Sequence, residues 1–375
     1  MNNPKKASKP TQRRYGAEGA VHLYSSLPTV LTPADLYRVR DNAVLREAVT
    51  NCNIYLIASR RRILIDPADF SLDGNTLSGN FLVQRVGGMA YIPFEYDVET
   101  ERIGADTVIE DVAVALSGTH LVITTSAGQL PLAAYVIVAS ARAELDALDR
   151  DLDVLYIGQG IGRTGNRTAI DRLLNHSTLQ RILAEATTFY PEQEILLLLY
   201  RFEHQRIIAS TGGDMTVEPM ATREEEHHHM ERMHKARLNR HAIVSLAEAG
   251  LIRHFQPAFN VQVKMNDFAA KRKLTVLQKL LTHDLTGLIV EIGSGNIRSR
   301  LRTPSAPPPE LPAIFDQKAL DGDRLDTDEK KRQWAEELHL MAHTQYARHP
   351  LTTPQERDTF LHGTLWNGET ERTTW

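Results

Sequence analysis

The chain of 375 residues contains a single cysteine, Cys52. That scarcity removes an internal disulfide and a zinc site built from thiolates, and it agrees with a reducing, cytoplasmic setting. No apolar run approaches the roughly 18 residues that a membrane-crossing helix needs. The basic start, with Lys5, Lys6, Lys9, Arg13 and Arg14, leads into Gly16 and Glu18 rather than into the apolar core of a signal peptide. An excess of positive charge is missing too: 43 Lys and Arg face 47 Asp and Glu, for a net charge of -4. A nucleic-acid function would therefore rest on local basic patches, not on overall charge.

What is present is an ordinary 42% hydrophobic content on a chain long enough for two or three domains. Residues 1–15 are polar and basic and are expected to form a disordered tail. Residues 16–130 read as a β-rich N-terminal domain. A helix over 33–49, N-capped by Thr32, is followed by short β runs at 53–58, 62–65, 81–86, 90–94, 107–115 and 120–125. Arg60, Arg61 and Arg62 form its basic cluster, which suits a phosphate contact or a charged edge strand.

From residue 131 the pattern changes. The apolar run 134–140 (AYVIVAS) predicts a strand, and 154–158 (VLYIG) a second one pairing antiparallel with it. A helix over 168–186, a central strand over 194–202 and one long helix over 223–255 complete a unit spanning 131–262. A basic helix and strand extension, 263–302, carries Lys271, Arg272, Lys273 and Lys279. A proline-rich linker, 303–313, and a helical tail, 314–375, follow. In the tail, Asp326 with Glu329 predicts a capping box, and Trp334, Leu338 and Met341 mark a face for its own domain or for a partner, a second copy of the chain included.

Three motifs compete for a functional reading. Gly160-Ile161-Gly162-Arg163-Thr164-Gly165 satisfies G-x-G-x-x-G between a strand and a helix, the pattern of a dinucleotide site. The alternation of strands and helices needed for a doubly wound parallel sheet does not continue downstream. Glu224 to His234 (EEEHHHMERMH) suggests a metal cluster, yet three adjacent helical histidines point in different directions and suit a solvated face. His234, His241 and Glu248 recur every seven residues, near one seam of a continuous helix. The third motif, Glu248 to Asn260 (EAGLIRHFQPAFN), combines a carboxylate, an apolar stripe of Leu251, Ile252 and Phe255, a stop at Pro257, and Asn260.

Set beside Tyr135, Tyr156-Ile157-Gly158, and Arg172 with His176 four residues later, this third motif resembles the GIY-YIG nuclease family over about residues 132–260. E-x-x-L-I-x-x-x-x-P-x-x-N is similar to the matching segment of the family's repair nucleases, and R-x-x-x-H to its restriction enzymes. The first motif reads Ala133-Ala134-Tyr135 in place of Gly-Ile-Tyr, and Gln159 stands where many members carry a lysine. The resemblance implies an α+β fold with a three-stranded antiparallel sheet flanked by helices. It also implies a Mg2+- or Mn2+-dependent endonuclease acting on nucleic acid, DNA by preference, in restriction, phage defence or repair. Glu248 is then the metal ligand, and Arg172 the cation on the phosphate. Tyr156 takes the proton, assisted or replaced by His176, while Tyr135 and Asn260 orient water, phosphate or the glutamate. Gly158, Gln159, Arg163, Arg167 and His241 are expected along the substrate path. The alternative is a degenerate, non-catalytic domain that binds nucleic acid or protein.

Overall fold

The most apolar runs in the chain gather into one sheet. The computed structural model describes residues 14–85, 87–98, 107–115, 117–160, 168–210, 219–260, 271–309 and 327–351. In chain order come β1 (Glu18–Ser25), β2 (Thr29–Leu31), α1 (Asp35–Asp41), α2 (Ala43–Val49) and β3 (Ile54–Arg61). Next are β4 (Ile63–Asp73), β5 (Thr76–Arg85), β6 (Gly88–Asp97), β7 (Ile109–Val114), β8 (His120–Thr125) and β9 (Gly128–Ala133). These lead through α3 (Ala134–Ser140), β10 (Arg142–Ala143) and α4 (Ala147–Arg150) to β11 (Leu152–Gln159). Then follow α5 (Ala169–Leu174), α6 (Ser177–Phe189), β12 (Gln193–Tyr200), β13 (Phe202–Ser210), α7 (Arg223–His234) and α8 (Arg240–Phe255). The described chain closes with α9 (Lys271–Thr282), β14 (Leu285–Gly293), a 3-10 turn (Gly295–Ile297), β15 (Leu301–Arg302), α10 (Asp328–Ala342) and β16 (Thr344–Pro350).

The molecule is α+β. Its central sheet runs β15-β11-β3-β12-β2, with β3 antiparallel to both β11 and β12. Seven of the eight β3 residues are buried, because helices cover one face and a second sheet with α8 covers the other. Tyr55 and Ile57 point to the layer of α1, α2, α5 and α6, while Ile54, Leu56 and Ala58 point to α8 and the second sheet. That second sheet runs β13-β1-β14-β16. The helix α8 is buried nearly all round. A Cβ added at Gly250 would meet Val290 Cγ2 at 2.8 Å, so glycine lets α8 approach β14 closely. Elements β4 to α4 lie between β3 and β11 in sequence, as two small sheets, β10-β6-β5-β4 and β7-β8-β9, around their own apolar cluster.

Several expected elements differ. The run 134–140 is the helix α3, not a strand: Ala134, Ile137 and Val138, spaced three and four apart, bury against the inserted strands. A seven-residue apolar run fits either period, and here tertiary contact selects the helix. The partner of β11 is accordingly β3. Strands of the expected 16–130 unit divide between locations, since β1, β2 and β3 belong to the two core sheets.

Three helices expected to be continuous are interrupted where a side chain caps a new start: Asn42 in 33–49, His176 in 168–186 and Asn239 in 223–255. The last break removes the seven-residue seam from His234 to Glu248. The C-terminal helix stops at Ala342, and β16 then adds a strand to the second sheet. Thr327 caps that helix through Lys330 N–H; Asp326 lies outside the described residues.

Candidate active site at the β3–β11 pair

The register of β3 against β11 sets Gly158 opposite Tyr55 and Tyr156 opposite Ile57. A bulge between Val154 and Tyr156 breaks the strict alternation of β11. Leu155 and Tyr156 therefore both pack on the helix-covered face, and the Tyr55 and Tyr156 rings lie 6.2 Å apart at 26°. Glycine is required beside them, because a Cβ at Gly158 would stand 2.5 Å from the Tyr55 hydroxyl oxygen. Gly160 serves a second close approach: its N–H donates to Asn53 O at 2.8 Å, and a Cβ there would meet Ala169 backbone at 2.6 Å.

Across this face, α5 starts at a capping box in which Thr168 and Asp171 exchange hydrogen bonds. It carries Arg172 toward the two tyrosines. His176 does not continue that helix. It begins α6, where its Nδ1 accepts from Leu179 N–H at 3.2 Å. Its ring lies 4.9 Å from Tyr156 and 5.8 Å from Tyr55, edge-on to both. With Nδ1 accepting, the neutral imidazole carries its proton on Nε2, which makes that nitrogen a donor rather than a base.

Glu248 arrives from α8, and its charge reaches Tyr55, Tyr156 and Arg172. Its carboxylate, 13% exposed, lies 3.9 Å from Lys273 Nζ of α9. His241 and Lys273 share a small cavity of about 70 Å³ beside α8. Past the α8 C-cap at Gln256, the chain runs along β11: Phe259 N–H donates to Leu155 O, and the buried Asn260 side chain clamps Ile157 at both backbone N–H and C=O, each at 2.9 Å. Asn260, expected to orient water, phosphate or the glutamate, thus braces the strand that carries Tyr156.

Electrostatics follow from this packing. Burial pushes the Tyr156 hydroxyl above its usual pKa and Glu248 adds to the effect, with Arg172 and Tyr55 opposing. Tyr55 is raised more, again by burial first. Burial works against the Arg172 charge, yet Tyr55, Tyr156 and Glu248 around it leave its pKa above the ordinary value. Burial, then Arg172, lowers His176. The buried Tyr55 hydroxyl faces Tyr156 and Arg172 at the outer limit of hydrogen-bonding range. Such an atom, next to a fixed guanidinium and a mostly buried carboxylate, suits a site whose remaining partners are water, a hard cation or phosphate oxygens.

The structure therefore brings together Tyr156, Gly158, Arg172, His176 and Glu248, with Asn260 as a brace. Tyr135 is elsewhere: it lies on α3 and its hydroxyl donates to Val30 O at 3.0 Å. Gln159 ends β11 with a buried Oε1 that lacks a partner among the described residues. Arg163 and Arg167, with most of the glycine loop, lie outside the described residues. The strand before that loop pairs antiparallel with its main neighbour, unlike the first strand of a dinucleotide fold.

His229 is buried, bonded to Asp284 and to Ala17 O, whereas His227 and His228 are exposed. Among the described residues, no group of three or more His, Cys, Asp or Glu could hold a metal ion. Two participants were missed in the sequence. Tyr55 was signalled by Asn53-Ile54-Tyr55 opening an apolar β run; Lys273 had no local signal. No protein-family model, curated protein or solved structure matches the chain.

Proposed function

We propose that the protein is a divalent-metal-dependent endonuclease that hydrolyses phosphodiester bonds in DNA through a GIY-YIG-like domain. The observation that carries this reading is the convergence of two helix residues, Arg172 and Glu248, on Tyr55 and Tyr156, which lie on two paired antiparallel strands. Asn53-Ile54-Tyr55, not Ala133-Ala134-Tyr135, then stands in for Gly-Ile-Tyr. The elements β4 to α4 are an insertion between the two motifs.

Glu248 would hold Mg2+ or Mn2+, and a cation there would supply charge for the phosphate and the leaving oxygen. Arg172 faces the non-bridging oxygens, where negative charge grows in the transition state. Tyr156 is the group placed to take the proton from water, its ionisation favoured by Arg172 and opposed by burial and the Glu248 charge, which a bound cation would offset. His176, with Nδ1 committed to its helix cap, acts as an Nε2–H donor to phosphate or water. Gly158 keeps the Tyr55 hydroxyl in place. Restriction or defence is favoured over repair on the spacing of Arg172 and His176.

The test is incubation of the full chain with plasmid, single-stranded DNA and RNA, with Mg2+ or Mn2+ and with chelator. Cleavage should require the metal and disappear in Glu248→Ala with an unchanged melting temperature. Full activity in that variant removes the assignment. Salt-sensitive binding without cleavage under either metal supports the non-catalytic alternative.

A further inference from the structure

A second polar region lies at the other end of the same strands. Arg150 precedes β11, and Arg60 sits near the end of β3, roughly 15–20 Å along the strands from Tyr156 and Tyr55. Here a cavity of about 1040 Å³ opens between α3, α4, the 3-10 turn and α10. Ala139, Leu145 and Leu340 supply apolar wall; Arg150, Arg298 and Arg300 supply the cationic side. The rings of His339 and His343, 4.1 Å apart and tilted by 36°, lie on the α10 side.

Most guanidiniums here are matched. Arg300 makes a two-pronged pair with Asp151 at 2.9 and 2.8 Å, Arg302 with Asp153 at 2.9 and 3.2 Å, and Arg60 meets Glu194 at 2.6 Å. Arg150 and Arg298 are not. Among the described residues neither has a carboxylate within ion-pair distance, although the exposed Glu336 is also on the cavity wall.

Arg150 spends Nη2 on Ala143 O at 2.9 Å, and its buried Nε has no partner among the described residues. The fully buried Arg60 side chain likewise leaves Nη2 without a partner. Burial, then Arg298 and Arg60, pushes the Arg150 pKa down, the response of a cation set among cations. Arg298 itself occupies left-handed backbone, φ 47°, at the end of the 3-10 turn. Arg60 lies behind the cavity and Arg298 is exposed at its wall, and a bound oxyanion would offset the crowding of positive charge around the half-buried Arg150. The volume and the apolar wall admit a ligand much larger than a simple ion.

We propose that this cavity binds a nucleoside phosphate, with Arg150 and Arg298 on the phosphate oxygens and the base against the apolar wall beside His339 and His343. The site is independent of the nuclease reading. It joins the inserted region, through α3 and α4, to the segment after β14 and to α10, so occupancy would tie these three parts together.

Titration calorimetry on the full chain in chelated buffer tests it, using ATP, GTP, CTP and UTP alongside adenosine and pyrophosphate. At least one triphosphate should bind saturably, adenosine at least tenfold more weakly. Arg298→Asp should weaken that binding tenfold or more, while Arg38→Ala on the remote exposed helix α1 leaves it unchanged. Arg298→Asn, suited to left-handed backbone, should act in the same direction and serves if the aspartate variant is unstable. No saturable binding of any triphosphate at 1 mM, adenosine binding as tightly as the triphosphates, or unchanged affinity in both Arg298 variants overturns the proposal. So does loss of duplex-DNA affinity in Arg298→Asp with no triphosphate binding, which would make the cavity a strand-contact surface.

Discussion

The central sheet and the inserted strands solve different burial problems. In the insertion, strands alternate: β6 buries Ile92, Phe94 and Tyr96 while the residues between them face solvent, and Phe81 stacks on Phe94 at 4.2 Å. One face packs and one stays wet, so polar residues there need no explanation. β3 and β12 are covered on both faces, and every polar atom within them is an exception to be accounted for. Two of them, Tyr55 and Arg60, lie toward opposite ends of β3: Tyr55 faces Tyr156 and Arg172, and Arg60 pairs with Glu194. A polar group in a twice-covered sheet is thus far more informative than the same group on the insertion.

The contrast can be broken by mutation. Phe81→Ala should remove about 3–5 kcal/mol from the insertion. Hydrogen exchange should then rise across β4 to β6 while β3 and β11 stay protected and cleavage stays within about twofold; equal loss of protection in both regions would merge them into one folding unit. Arg172→Ala or Tyr55→Phe should do the reverse, lowering single-turnover cleavage by about 10²–10³-fold with little change in melting temperature.

Asn260→Ala removes both clamps on Ile157 and should destabilise by about 1–3 kcal/mol, with cleavage reduced further at temperatures where the fold persists. Titration gives a separate test. His343 and His349 are held neutral by burial, with pKa values lowered to about 4. In the unfolded chain each takes up a proton near 6.5. Their contribution is complete above that value and lost as the pH falls toward 4, so denaturant midpoints should decline across that window. His349→Gln should flatten the decline.

The candidate site was legible in parts. Tyr156, Arg172 and Glu248 were readable because each sits in a short segment whose chemistry is local: a strand, a short capped helix, a helix with its proline stop. His176 was readable as a position but not as a cap, since a side-chain acceptor at a helix start depends on the break before it. Tyr135 reads as a strand residue in the sequence because an apolar seven-residue run does not distinguish a strand from a helix, and because the nearer run looks like the natural partner for β11. Lys273 reaches Glu248 only through the path of α9.

By itself, then, the sequence determined the apolar runs, the helix stop after Phe255, the α+β character, and three of the polar groups now gathered around Tyr55. Only the tertiary structure decided which strand lies beside β11, which helices break, and which polar side chains gather toward either end of the sheet. The physical reason is that strand pairing joins residues across the whole insertion, and no local period records a contact made at that separation.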